Sequence, residues 1–261
     1  MSDFIKEVWD SQARQFGQSN HASWGDIEMI NLEVQNLIKF IPKNSIILDI
    51  GCANGFSTKM IAERVSPSQL FAADFSQEMV NEAVRLLGNI TGTNVKVFQS
   101  DIRAIELASE SVDVCLATRT IINLPTWGDQ IKGIEECLRV TKMGGVVLLS
   151  EGFWEPLVKL NALRQIFGLT PLAEHDFNRY IKQDKLEVFL RSRGLNYEIV
   201  EYSSLYYFGS RIARELATDY LSFEGYSNPI NSEFATLAHK YPKCGGIGIQ
   251  QLVVIKKLGS D

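Results

Sequence analysis

The sequence predicts an α/β protein on a doubly wound, mostly parallel sheet of seven strands, with helical lid insertions. Three observations carry this. Short apolar runs rich in β-branched residues recur along the chain. Segments with helical spacing of apolar residues separate them. The first run ends in an aspartate and a glycine-bearing turn. Continuously apolar strands alternating with amphipathic helices describe a parallel sheet covered on both faces.

Residues 3–16 place Ile5, Val8, Trp9, Ala13 and Phe16 at helical spacing, and 27–41 do the same with Ile27, Ile30, Val34, Leu37, Ile38 and Ile41 before Pro42 closes the helix. Ile46–Leu48 is the first strand, and a helix is expected from about Ser57. Strands follow at 70–73, 95–98, 112–117 and 146–150, with helices at 77–87 and 129–140. The rhythm then breaks. Residues 152–193 read as helices, 196–200 and 252–255 as strands, and 203–249 as a long segment rich in Tyr and Gly. The whole chain, 1–261, is expected to be one domain. Its core covers about 45–151, 194–202 and 250–257, and 1–45, 152–193 and 203–249 decorate it as lid and substrate-binding segments.

The chain has 261 residues, 45% hydrophobic and 22% charged, a composition that excludes a disordered chain, a collagen and a coiled coil. Its 26 basic and 31 acidic residues give a net charge of −5, which argues against a nucleic-acid partner, since phosphate binding needs a basic face. The N-terminus has no apolar core of a secretory signal, and no run approaches a membrane span, so a cytoplasmic protein without a membrane partner is expected. Cys52, Cys115, Cys137 and Cys244 are far apart and read as reduced thiols. The three histidines show no metal-ligand spacing, so no metal is expected.

The chemistry concentrates at 48–57, Leu-Asp-Ile-Gly-Cys-Ala-Asn-Gly-Phe-Ser. Glycine admits positive φ and close ligand approach, and the following helix offers unpaired N–H groups. A dinucleotide would need G-x-G-x-x-G; this chain has G-x-x-x-G, with Asp49 pointing a carboxylate where a pyrophosphate would be repelled and an ammonium attracted. Asp74 ends the second strand, where a carboxylate can accept from both ribose hydroxyls. Asp101 follows the third, where an acceptor suits the exocyclic amino group of adenine. Either aspartate alone reads equally well as a helix N-cap. Three carboxylates at three successive strand ends fit independent capping poorly.

Here the chain resembles the class I S-adenosylmethionine-dependent methyltransferases, well over about 45–151 and loosely elsewhere. The family's acidic residue followed by G-x-G-x-G is similar to Asp49-Ile50-Gly51-Cys52-Ala53-Asn54-Gly55, with Ala53 in place of the middle glycine. The resemblance implies S-adenosylmethionine as cofactor and S-adenosylhomocysteine as product. It further implies that Asp49 and the backbone from Gly51 through Cys52 to Gly55 hold the methionine part. Asp74 would bind the ribose, Phe75 and Met79 would pack on adenine, and Asp101 and Ile102 would flank its edge. Thr118 would line the methionine end, and Trp24, before the first strand, would cover the cofactor.

Methyl transfer is an in-line displacement that needs positioning, exclusion of water, and a base only for a protonated nucleophile. His21 and Glu151 are the candidate bases: the first titrates near neutrality, and the second follows the fifth strand at the substrate rim. Arg119, His175, Arg179, Tyr207 and Arg211 are candidate acceptor contacts. The four cations Arg119, Lys159, Arg179 and Arg211 suggest an anionic small molecule. The expected function is methyl transfer to a small-molecule acceptor, by O-methylation, with N-methylation as the variant. The alternatives are a non-catalytic S-adenosylmethionine-binding module and, further off, an NAD-dependent oxidoreductase, which Asp49 and the glycine spacing disfavour.

Overall fold

A computed structural model describes residues 3–217, 228–242 and 244–258. All seven anticipated strands form one sheet in the order β3-β2-β1-β4-β5-β7-β6. In chain order the elements are α1 (Asp3–Phe16), α2 (Ile27–Leu37), β1 (Ile46–Ile50), α3 (Phe56–Val65), β2 (Gln69–Asp74), α4 (Gln77–Leu87), β3 (Asn94–Gln99), β4 (Val112–Thr118), α5 (Trp127–Val140) and β5 (Thr141–Gly152). There follow α6 (Trp154–Ile166), α7 (Gln183–Ser192), β6 (Asn196–Glu201), α8 (Ser204–Phe208), a π-helical turn (Gly209–Ala213), α9 (Arg214–Leu216), α10 (Pro229–Lys240) and β7 (Gln250–Lys256).

Neighbours among β1 to β5 run parallel, while β7 runs antiparallel between β5 and β6. The apolar runs alternate across the sheet. Ile47, Val114, Leu116, Leu148 and Val254 face one side, with α2, α3 and residues from α8 and α10. Leu48, Cys115, Ala117, Leu149 and Ile255 face the other, with α5 and α7. This two-sided burial is why the strands read as unbroken hydrophobic stretches rather than as alternating ones.

Boundaries differ mainly where a backbone ladder outlasts the apolar run. β5 spans 12 residues because Thr141 pairs with Val112 and Gly152 with Gln250 beyond the apolar Val146–Leu149. The helix expected over 27–41 ends at Leu37 and tightens into a 3₁₀ turn, Ile38–Phe40. Cys52, Cys115 and Cys137 are buried free thiols and Cys244 is exposed.

The decorations divide. α1 and the 3₁₀ turn Asn20–Ala22 lie over the carboxyl ends of the strands, where Ala13, Ala22 and Met79 pack with Trp9 and Phe16. The described part of 203–249 instead packs against α2 on one sheet face, through Tyr206, Tyr207 and Ala238. Residues 218–227 and 243 of that segment lie outside the described residues.

Candidate active site

The carboxyl ends of β1, β2 and β4 surround a cavity of ≈ 430 Å³, roofed by α1, the 21–25 stretch and the 175–178 loop. Its size lies in the range of about 300–1,000 Å³ usual for small-molecule sites.

The turn after β1 builds the floor. Gly51 and Cys52 donate their amides to the carbonyl of Ala73 (2.7 and 3.0 Å), which fastens the turn to β2. Gly51 has φ +82, and a Cβ there would lie 2.0 Å from Thr120 Oγ1. Glycine is thus required by a neighbouring side chain as well as by backbone conformation. Asn54 is buried and reaches upward, its amide donating to the carbonyls of Gly17 and Ser19, both at 2.8 Å.

Asp49 is buried at the end of β1. Thr58 donates to its Oδ2 (2.6 Å), and its Oδ1 has no hydrogen-bond partner. Burial pushes this carboxyl up to about 6, against the pull of the Thr58 hydroxyl and with a push from Asp74. Asp74 accepts from the amides of Ala53 and Ser76, both at 2.8 Å, and burial raises it too to about 6. An acidic carboxyl held in this state is poised to gain from a cationic or hydroxyl-bearing ligand.

Around these lie Phe75, Ile102, Thr118, Arg119, Cys52, Gly51 and Trp24, all on the cavity wall as the sequence anticipates. Arg119 sits with φ +55 after β4, its guanidinium 4.7 Å from the Trp24 ring centre and its Nη1 without a hydrogen-bond partner. His21 is also on the wall. Its Nδ1 lies 3.2 Å from Ser19 Oγ, which leaves Nε2 as the ring atom open to a ligand. His175 stacks on Phe177 at 5.2 Å, and Phe177 meets Trp9 edge-on at 5.5 Å, so the two roof pieces touch through rings above the cavity.

Several expected residues lie elsewhere. Glu151 is buried behind the wall. Its Oε1 accepts from Thr120 and Ile121 amides (3.0 and 2.9 Å) and its Oε2 from Ile122 (3.3 Å), so it caps the turn after β4. Burial pushes its carboxyl up to about 8 while those amides pull it down. That geometry makes it a structural anchor in place of the expected rim base. Met79 is wholly buried beneath α1 and does not reach the cavity. Gly55 starts α3 with φ +83 against the Leu87 side chain and is off the wall.

Asp101 is clasped by Arg103, through its amide (2.9 Å) and Nη2 (2.7 Å), and Arg103 also bridges to Asp129 (2.9 Å). The neighbouring Ser100 occupies the wall instead, buried, with an unpartnered Oγ.

Three of the expected acceptor contacts also fall away from the cavity. Arg179 is exposed on the outer side and donates to the carbonyl of Asp176 (3.0 Å). Tyr207 is buried against α2. Arg211 lies 5.6 Å from its ring and 3.4 Å from Asp26 Oδ2. Asp26 also accepts from the Tyr206 hydroxyl, so these polar groups tie α2 to the helices after β6.

The sequence reading missed Ser100, Gln12 and Thr120 on the wall and Glu33 behind it. Glu33 did carry a signal. It lies three residues after Ile30 and four before Leu37, on the apolar face of α2, where an acid is out of place.

Among the described residues, no group of three or more His, Cys, Asp or Glu is arranged to hold a metal, and no helix is long and apolar enough to cross a membrane. The cavity suits an adenosyl amino acid. Asp49 Oδ1 is a buried acceptor and Arg119 Nη1 a buried donor, each without a partner, and both residues line the cavity with Asp74, Phe75, Ser100 and Ile102. Sheet order, glycine turn and cavity fit the resemblance to the class I S-adenosylmethionine-dependent methyltransferases.

Residues 47–145 match the methyltransferase domain family. A ubiquinone biosynthesis O-methyltransferase of Pseudomonas fluorescens is 29% identical over 154 residues, 57% of this chain and 63% of that protein. A tRNA (carboxymethyluridine(34)-5-O)-methyltransferase of Macaca fascicularis is 24% identical over 147 residues, 56% of this chain and 19% of that protein. The matched region thus covers less than two thirds of either relative. A methyltransferase chain from the complex with the Haloferax volcanii Trm112 methyltransferase activator superposes over 98% of this chain and 99% of its own. Its TM-score is 0.64 at 16% identity.

Proposed function

We propose that this protein transfers the methyl group of S-adenosylmethionine to a hydroxyl oxygen of a small molecule held inside the cavity. The observation that carries this reading is the roof. α1, the 21–25 stretch and the 175–178 loop close over the strand ends, leaving ≈ 430 Å³, and bring His21, Asn123, His175 and Asn178 to its wall. A roofed site of this size favours a compact acceptor.

The cofactor supplies a methyl group already activated on a sulfonium. Asp49 takes the ammonium and Arg119 the carboxylate of its amino-acid end. Asp74 takes the ribose hydroxyls, and Phe75 and Ile102 flank the base. His21, through Nε2, would receive the acceptor's hydroxyl proton as the acceptor oxygen takes the methyl carbon and the carbon–sulfur bond breaks, with S-adenosylhomocysteine leaving as the thioether. Asn123 and Asn178, joined by a 2.8 Å hydrogen bond, orient the acceptor, and the Trp9–Phe177–His175 rings press on its flat face. With Arg119 assigned to the cofactor and Arg179 and Arg211 away from the wall, the argument for an anionic acceptor loses its support. On this reading 1–45 and 152–193 act as lid, whereas the described part of 203–249 buttresses α2.

A tRNA acceptor is a second reading, favoured by the relative that methylates a tRNA uridine, and the Trm112 complex raises a protein partner for that case. The net charge of −5 weighs against it. The test is calorimetric titration of the chain with S-adenosylmethionine and NAD, followed by a tritiated-methyl screen of phenols, amines and bulk tRNA. Micromolar cofactor binding with transfer to a phenol is expected. Transfer to tRNA alone would replace the first reading with the second.

A further inference from the structure

Behind the cavity wall lies a carboxylate only one of whose oxygens is hydrogen-bonded. Glu33 is fully buried on α2. Its Oε1 accepts from Ser150 Oγ (2.7 Å) at the end of β5 and from Gln250 Nε2 (2.9 Å) at the start of β7. Tyr202 hydroxyl stands 3.0 Å from the same Ser150 Oγ. Four elements thus converge on one acid. Its Oε2 makes no hydrogen bond and lies 3.5 Å from Arg119 Nη2. Burying a carboxylate is costly, and the two hydrogen bonds to Oε1 leave Oε2 with the loose ion pair alone.

Arg119 is costly as well. Its backbone is left-handed at φ +55, a strained conformation for a non-glycine residue. The peptide is pinned there by its amide, which donates to the Ser150 carbonyl (2.8 Å). The guanidinium is pressed over Trp24 at 4.7 Å, and its buried Nη1 has no partner. Nη2 faces Glu33, and Arg119 also lines the cavity, with Nη1 left unpaired. A guanidinium held at one edge by a fixed carboxylate has few rotamers left, so little entropy is lost when its free edge binds a second carboxylate.

We infer that Glu33 is a positioning residue that holds Arg119 over Trp24, so that the arginine's free edge reads the carboxylate of the bound cofactor. This rests on the cavity being the S-adenosylmethionine site. Glu33 touches no ligand itself. It fixes the arginine, and through it the preference for a ligand with an intact amino-acid end over one with the nucleoside and thioether alone.

The experiment titrates the full chain calorimetrically with S-adenosylhomocysteine and with 5′-methylthioadenosine, which shares the nucleoside and sulfur but lacks the amino acid. The wild type is expected to bind the first more tightly. Glu33→Gln should weaken S-adenosylhomocysteine about tenfold and leave 5′-methylthioadenosine unchanged. Arg119→Gln should do the same, and the double variant should lose little more than either single one. Equal loss of both ligands in Glu33→Gln would mean a purely structural acid, and additive losses would mean two independent roles; either overturns the inference. Should Glu33→Gln not fold, Arg119→Lys decides. It keeps the charge and loses the fork, so a several-fold loss confined to S-adenosylhomocysteine supports the inference, and wild-type affinity for both ligands overturns it. Failure of the wild type to bind either compound would overturn the cofactor reading and the inference together, an outcome distinct from binding that ignores Glu33.

Discussion

The side-chain amide of Asn54, in the turn after β1, donates to the carbonyl of Ser19 at 2.8 Å and to that of Gly17 at the same distance. The residue that shapes the cavity floor thus also holds the start of its roof. Ser19 Oγ in turn lies 3.2 Å from His21 Nδ1, so the candidate base is two contacts from the glycine turn. Floor, roof and base form one connected unit.

Asn54→Ala should therefore loosen the roof more than the core. Two carbonyls lose their donor, a cost of about 1–3 kcal/mol where they stay buried. We expect faster proteolysis near 17–19, weaker S-adenosylhomocysteine binding, and a smaller change in the global unfolding midpoint. Limited proteolysis with and without ligand measures this, and an unchanged cleavage rate would mean that α1 is held by its apolar contacts alone.

Asp74→Ala should weaken cofactor binding by roughly 1–3 kcal/mol through loss of charge-assisted hydrogen bonds. Part of that arises indirectly, because Asp74 also anchors the amide of Ala53 (2.8 Å). Calorimetry with S-adenosylhomocysteine reads it directly, and unchanged affinity would remove the ribose role.

pH should act on binding with a definite sign. Asp49 and Asp74 both have folded-state values raised from 3.8 to about 6. A raised folded value stabilises the apo fold below about pH 4, and that contribution is lost as pH rises through about 6. An ammonium ligand prefers the ionised Asp49, so affinity for S-adenosylhomocysteine should climb roughly tenfold per unit at most between pH 5 and 6 and level off by pH 7. In Asp49→Asn the profile should be flatter and the affinity lower. A wild-type profile that falls with pH would contradict the ammonium assignment.

Glu151→Ala should reduce stability rather than remove a base. Three amides, of Thr120, Ile121 and Ile122, would lose their acceptor in a buried place, at a cost of about 3 kcal/mol or more. Urea unfolding checks it. A variant as stable as wild type but inactive would restore the catalytic reading of Glu151.

His21→Ala should lower kcat by about 100-fold or more once an acceptor is in hand, with S-adenosylhomocysteine affinity kept. Single-turnover kinetics separates a lost base from a displaced roof: a lost base slows the transfer step alone, whereas a displaced roof also weakens S-adenosylhomocysteine binding.

Much of the architecture lies in local chemistry. The central strands are runs such as Leu48 or Val147 with neighbours buried on both faces, and α4 falls on residues 77–87 as its apolar spacing requires. The carboxyl-end aspartates were equally legible, because a strand end and a glycine turn are set by nearby residues. What lay beyond the sequence was decided by segments distant along the chain. Asp101 yielded the wall to Ser100 once Arg103 clasped its carboxylate. Arg211 turned toward Asp26, 185 residues away, and lies against the ring of Tyr207, so both left the cavity.

Glu151 and Glu33 complete the contrast. One reads from sequence as a solvated rim acid and the other as an ordinary helix residue, yet the first caps a turn 30 residues away and the second faces Arg119 behind the cavity wall. The sequence by itself determined the order of strands and helices, the glycine turn and the strand-end aspartates, since all depend on apolar periodicity and backbone freedom over a few residues. Only the tertiary structure decided which polar side chains face the ligand and which are spent inside the protein. A buried charge is positioned by whichever long-range partner offsets its desolvation, and that partner is chosen by packing.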